Sequence, residues 1–164
     1  MNTATPNQTT APAPAPQPRL NYRKASPAAV QAMMALQTAA NKTGLEKPLV
    51  ELVKLRASLL NGCAFCIDMH FREARAAGER EERLYLLSAW SETPSLYTAR
   101  EQAALRWTEA LTRLAGNHVS DELFADVREH FTDEEMGNLT LAIVTINGWN
   151  RFSVGFGMPI RYQG

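Results

Sequence analysis

Cysteine and histidine are scarce in this chain of 164 residues, which has two of the first and three of the second. An excess of charge is missing altogether. The 17 lysines and arginines are matched by 17 aspartates and glutamates, so no net field draws the chain to nucleic acid or to an anionic membrane surface, and neither partner is expected. No apolar run approaches the roughly 20 residues that cross a bilayer, and the N-terminus has neither the basic nor the apolar region of a secretory signal. The expected location is cytoplasmic, where a cysteine pair is more often catalytic than structural.

What is present is enough for one domain, since 45% of the residues are hydrophobic and a chain of this length can bury a sizeable core. Residues 1–19 stand apart. They are almost all Ala, Pro, Thr and Gln without apolar periodicity, the composition of an extended tail that cannot offset its ordering entropy. The folded domain is expected over residues 20–164.

From Ser26 onward the pattern is helical, with no convincing alternation of period two, and the fold class read from it is all-α, with about seven helices. Ser26-Pro27 opens the first, with Val30, Met33 and Met34 as its apolar repeat, and Gly44 closes it. The second runs from Pro48 to Asn61-Gly62, the third fades at Gly78, and Glu82 to Trp90 form a fourth. Thr98-x-x-Glu101 and Thr132-x-x-Glu135 are capping boxes for helices reaching Gly116 and about Val154, with a short helix after Ser120 between them.

The informative segment is Asn61-Gly62-Cys63-Ala64-Phe65-Cys66-Ile67-Asp68-Met69-His70, which holds both cysteines and a histidine. If a helix opens directly after Gly62, Cys63, Cys66 and His70 share one stripe. A free thiol, with a pKa of about 8.5, is only a few per cent thiolate at neutral pH. A helix N-terminus stabilises an anion and a neighbouring imidazole accepts a proton, and both are supplied here. Three residues of helix advance roughly 4.5 Å, within what a disulfide tolerates. Zinc binding by Cys63, Cys66 and His70, or inert packing of two thiols, are the competing readings. A closed zinc site wants four ligands, and no second cluster occurs.

On a helical wheel of the second helix, Leu49, Leu52, Val53, Leu59 and Leu60 make one stripe that includes Arg56, whose head is expected to reach solvent or a carboxylate. Glu51 falls on the opposite flank, where periodicity predicts a solvated side chain. His118 reads as a loop residue and His130 as a partner of a helix dipole. Asn147, Trp149 and Asn150 sit on an apolar last helix and read as packing or subunit contact.

With these residues in place, the chain resembles the alkyl hydroperoxidase D family of the carboxymuconolactone decarboxylase-like superfamily. Glu51, then Cys63 twelve residues on, then Cys66 and His70 keep the family spacing, and the flanks agree: Leu55-Arg56-Ala57-Ser58, Gly78-Glu79, Ala104 to Glu109, and Ile146-Asn147-x-Trp149-Asn150-Arg151. The resemblance spans residues 24–154. It implies a peroxidase without cofactor or metal, in which Cys66 attacks the O–O bond of a hydroperoxide and the resulting sulfenic acid condenses with Cys63. Glu51 would orient His70, which would relay protons to generate the Cys66 thiolate. Helix-end electrostatics taken alone favour Cys63 as the nucleophile, whereas the nearness of His70 and the family assignment favour Cys66.

Phe65 is a departure, since some members place a histidine there. It makes the pocket more apolar, by core packing or as a filter for bulkier hydroperoxides. The resemblance further implies a homo-oligomer (dimer, trimer or hexamer) and a reductant that is a lipoyl adaptor, a thioredoxin-like protein or a small thiol. Two other readings stand beside the peroxidase: a lactone acid decarboxylase or isomerase, whose chemistry needs no reversible disulfide, and a non-catalytic redox-sensing or zinc-binding scaffold.

Overall fold

The segment Lys47–Leu60 carries a broad apolar face and also buries the polar Glu51 and Ser58 on its other side, and that helix organises the molecule. The computed structural model describes residues 17–116 and 118–160. Among them are eight α-helices and no strand: α1 (Tyr22–Ala25), α2 (Pro27–Ala40), α3 (Lys47–Leu60), α4 (Ala64–Ala76), α5 (Glu81–Tyr85), α6 (Ala99–Thr112), α7 (Asp121–Arg128) and α8 (Asp133–Phe156). Short 3-10 segments at Leu87–Glu92 and Pro94–Leu96 join α5 to α6.

The all-α class is as expected, and the helices read from periodicity correspond to α2–α8. The addition is α1, a single turn capped by the Asn21 side chain and too short to carry an apolar repeat. The segment expected as one helix from Glu82 to Trp90 is α5 followed by a 3-10 stretch kinked at Ala89. Both capping boxes are formed, at Thr98/Glu101 and Thr132/Glu135. Most of the expected tail lies outside the described residues. Arg19, at its end, donates its backbone N–H to the Phe156 carbonyl (2.8 Å) and its guanidinium to Val154 and Gly155.

Helix α3 packs against α4, α6 and α8 at once. Leu49 and Val53 join Ala103, Ala104 and Trp107 of α6 with Leu139 and Ile143 of α8. Leu52 and Leu55 turn the other way, to Ala74 of α4, Leu84, Leu87 and Leu105. Ala57 completes a third cluster with Cys63, Cys66 and Ile146. Each fully buried leucine in these clusters contributes about 1.5–3 kcal/mol of hydrophobic free energy. Surrounded in this way, α3 has no wet face over its middle turns. This corrects the wheel reading of Glu51, which is buried rather than solvated. Arg56 pairs with Glu109 (2.8 Å) and donates to the Leu87 and Ser88 carbonyls, so its charge is met inside the fold.

Candidate functional site

The site is built by the turn between α3 and α4. Gly62 adopts a left-handed conformation (φ +62°) that a side chain would strain. Its N–H donates to the Leu59 carbonyl (3.2 Å), and the Cys63 N–H donates to Ser58 (3.0 Å), the paired bonds of a Schellman helix end. The chain thus stops one helix and starts the next within three residues, Asn61 to Cys63. Cys63 is not inside α4, as expected from the sequence, but is its N-cap, with its Sγ accepting the Cys66 N–H at 3.3 Å.

Cys63 and Cys66 are joined in a disulfide with their Cα atoms 5.3 Å apart. Each is 1% exposed, among Ala57, Ile146, Phe65 and Trp149. One turn on from Cys66, His70 is buried, and its Nδ1 lies 3.0 Å from Glu51 Oε2 and 3.1 Å from Glu73 Oε2. A carboxylate only accepts, so Nδ1 carries the proton and Nε2 holds the lone pair of the neutral ring. Nε2 has no hydrogen-bond partner among the described residues. The second oxygen of Glu51, Oε1, receives Lys54 Nζ at 3.0 Å.

These contacts set the protonation states. Burial alone would raise the Glu51 carboxyl, but the hydrogen bond from His70 and the Lys54 charge hold it below its usual range. Burial alone would lower His70, yet hydrogen bonds to Glu51 and Glu73 leave it raised. The result is an ionised carboxylate behind an imidazole that takes up protons readily.

Cys66 and His70 together line a cavity of about 300 Å³, whose walls include Phe65, Met69, Met34, Tyr22 and Trp149, with Lys54 and Glu73 beside them. Cys63 is not among its lining residues. A larger cavity of about 670 Å³ shares Asn41, Lys54 and Glu73 with the first and is bordered by Glu51. Donor atoms of Glu51, His70 and Glu73 lie within 4.8 Å of one another, a spacing that a cation could bridge. The same atoms are engaged in the hydrogen bonds just described, and the Lys54 ammonium already balances Glu51. With their sulfurs joined, the cysteines offer a metal no thiolate.

Of the four residues singled out by spacing, Cys63 is joined to Cys66, His70 is bonded to Glu51, and Cys66 and His70 share one cavity. Glu73 and Lys54 were not foreseen; the only sequence signals are their places three residues after His70 and Glu51, on the same helical faces. The polar residues of the last helix form an internal clamp. Asn61 Nδ2 donates to Asn147 (2.9 Å) and Asn150 (2.8 Å), and Asn150 donates to Ser58 Oγ (3.1 Å), tying the α3–α4 turn to α8. Trp149 donates to Gln37 (3.1 Å), fastening α2 beside the cavity. His118 and His130 lie outside the helices, flanking α7, and do not line the cavity.

Residues 27–110 match the carboxymuconolactone decarboxylase family. The chain belongs to that family. It is 41% identical over 139 residues to the uncharacterized protein YdfG of Bacillus subtilis, covering 85% of this chain and 94% of that one. A solved structure from Agrobacterium tumefaciens superimposes with a TM-score of 0.87 at 46% identity, covering 90% of this chain and all of that one. That protein is of unknown function, with a provisional assignment to antioxidant defence as AhpD. A peroxidase-related protein from Ralstonia eutropha with an alkylhydroperoxidase AhpD core gives a TM-score of 0.72 at 22% identity, covering 85% and 74% of the two chains. At that identity the likeness is one of fold. Family membership and fold together make the chain AhpD-like.

Proposed function

We propose that the protein is a thiol-dependent peroxidase that reduces alkyl hydroperoxides or hydrogen peroxide, with Cys66 as nucleophile and Cys63 as resolving thiol. The observation that carries this reading is that Cys66 and His70 line one cavity while Cys63 does not. In the reduced protein His70 Nε2 takes the Cys66 proton, and Glu51 holds the ring by Nδ1. The thiolate attacks one peroxide oxygen and the O–O bond breaks. The leaving alkoxide receives the proton from His70 and departs as an alcohol, or as water from hydrogen peroxide, and Cys66 is left as a sulfenic acid. Cys63 then attacks that sulfur, water leaves, and the disulfide forms. Two electrons and two protons from an external dithiol, two small thiols or a lipoyl or thioredoxin-like partner restore both thiols.

The antioxidant-defence assignment of the Agrobacterium relative points the same way. Among the described residues no helix is long and apolar enough to cross a membrane. With the balanced charge this fits a cytoplasmic protein supplied by a thiol pool. A homo-oligomer belongs to the same proposal, because α2 has no charged residue and buries only Ala40, leaving Met34 exposed beside the cavity. The test is consumption of hydrogen peroxide, tert-butyl hydroperoxide and cumene hydroperoxide with dithiothreitol as reductant. Turnover should be lost in Cys66→Ser. Turnover unchanged in Cys66→Ser, or absent in the intact protein, would overturn the reading.

A further inference from the structure

Three charged groups gather around the imidazole, and Glu73 is the one that offsets a proton taken up by the ring. Glu51 and Lys54 face His70 from α3 as an ion pair that is neutral overall. Protonated His70 beside that pair leaves one uncompensated positive charge in a buried place. Glu73, three residues on along α4, sets its carboxylate 3.1 Å from the same Nδ1 that Glu51 holds at 3.0 Å. Glu51 is 5% exposed, whereas the Glu73 side chain is 52% exposed and borders both the cavity of Cys66 and the larger one beyond Lys54.

We propose that Glu73 is a positioning residue of this site, a second and solvent-facing carboxylate that holds His70 by Nδ1 and supplies the negative charge the Glu51–Lys54 pair lacks. It rests on the reading of His70 as the group that accepts the Cys66 proton. With Glu73 in place two carboxylates accept from Nδ1 against one ammonium, so the imidazolium is favoured once the Cys66 proton has moved to the ring. The other charged group at the cavity is Arg23 of α1, and α2 and α8 contribute the neutral Gln37, Trp149 and Ser153. The hydrogen bond from His70 to Glu73 is also among the causes that hold His70 raised, after burial, which acts against it, and the bond to Glu51. Because Glu73 is half exposed, its hold weakens with ionic strength, unlike that of Glu51.

The test uses the reduced full chain and follows the ring resonances of its three histidines by NMR across pH. In Glu73→Gln the His70 midpoint should fall by about half a unit to one unit, and the pH at which iodoacetamide alkylates Cys66 should rise. Glu73→Asp, which keeps the charge on a shorter stem, should recover part of both shifts. Added salt should lower the intact protein's His70 midpoint more than that of Glu73→Gln. A His70 midpoint unmoved in Glu73→Gln overturns the proposal. None of these readouts needs peroxide, so failure of the intact protein to consume hydroperoxide counts against the peroxidase reading and leaves this one to be judged by the titration.

Discussion

Glu51 and His70, 19 residues apart, meet across α3 and α4 with Oε2 and Nδ1 3.0 Å from each other, both nearly closed to solvent. Their pairing ties proton affinity to folding, and the direction of each dependence follows from its shift. Glu51 is held below its ordinary value of 4.5, so its contribution to stability is present above that pH and is lost as pH falls through the lowered value. His70 is held above 6.5, so its contribution is complete below 6.5 and is lost as pH rises through the raised value. Glu51→Gln should therefore destabilise most between about pH 4.5 and 6.5, by about 1–3 kcal/mol. Urea unfolding of both proteins across pH measures the difference. A difference that does not vary with pH contradicts the coupling.

The two cysteines should differ in kind. Cys63→Ser keeps the thiol that lines the cavity, so one equivalent of peroxide should convert Cys66 to a sulfenic acid that dimedone traps and mass spectrometry locates. In Cys66→Ser no such adduct should form. Persistent labelling of Cys63 in Cys66→Ser would reverse the roles and return the argument to helix-end electrostatics, which favour the N-cap position.

The turn that presents these sulfurs should be the weak point of the fold. Gly62→Ala places a side chain at φ +62°, at a cost of about 1–2 kcal/mol. Asn150→Ala removes a buried acceptor of Asn61 and a donor to Ser58, at a cost of about 1–3 kcal/mol. Thermal unfolding followed by circular dichroism should rank both below surface controls such as Glu134→Ala, which removes an exposed side chain.

Self-association should run through α2. Met34→Glu places a charge on a helix that carries none. Light scattering should find an oligomer in the intact protein and a smaller species in this variant. A monomer in the intact protein would refute the assembly.

Local chemistry was readable from the sequence and long-range chemistry was not. Cys63, Cys66 and His70 declare themselves because their spacing matches helical geometry and the Asn61-Gly62 turn ahead of them ends the preceding helix. Glu51 is invisible to periodicity, since a helical wheel assumes one wet face and α3 is enclosed by α4, α6 and α8. Only the family spacing joined it to His70. Arg56, placed within an apolar stripe, found its carboxylate in Glu109 from a helix far along the chain. Glu73 was not singled out, because its contact with His70 is a hydrogen bond that no pattern encodes. Asn61 read as part of a turn, and Asn147 and Asn150 as packing or subunit contact, but the bond network that ties the turn to α8 needed coordinates.

The proposed chemistry requires a reversible dithiol at Cys63 and Cys66 that is spent on peroxide. Free sulfhydryls of the reduced protein should be counted while cumene hydroperoxide is titrated in without added reductant. One equivalent of peroxide should remove both sulfhydryls of each chain, and dithiothreitol should return both. Two sulfhydryls that persist through excess peroxide would contradict the account.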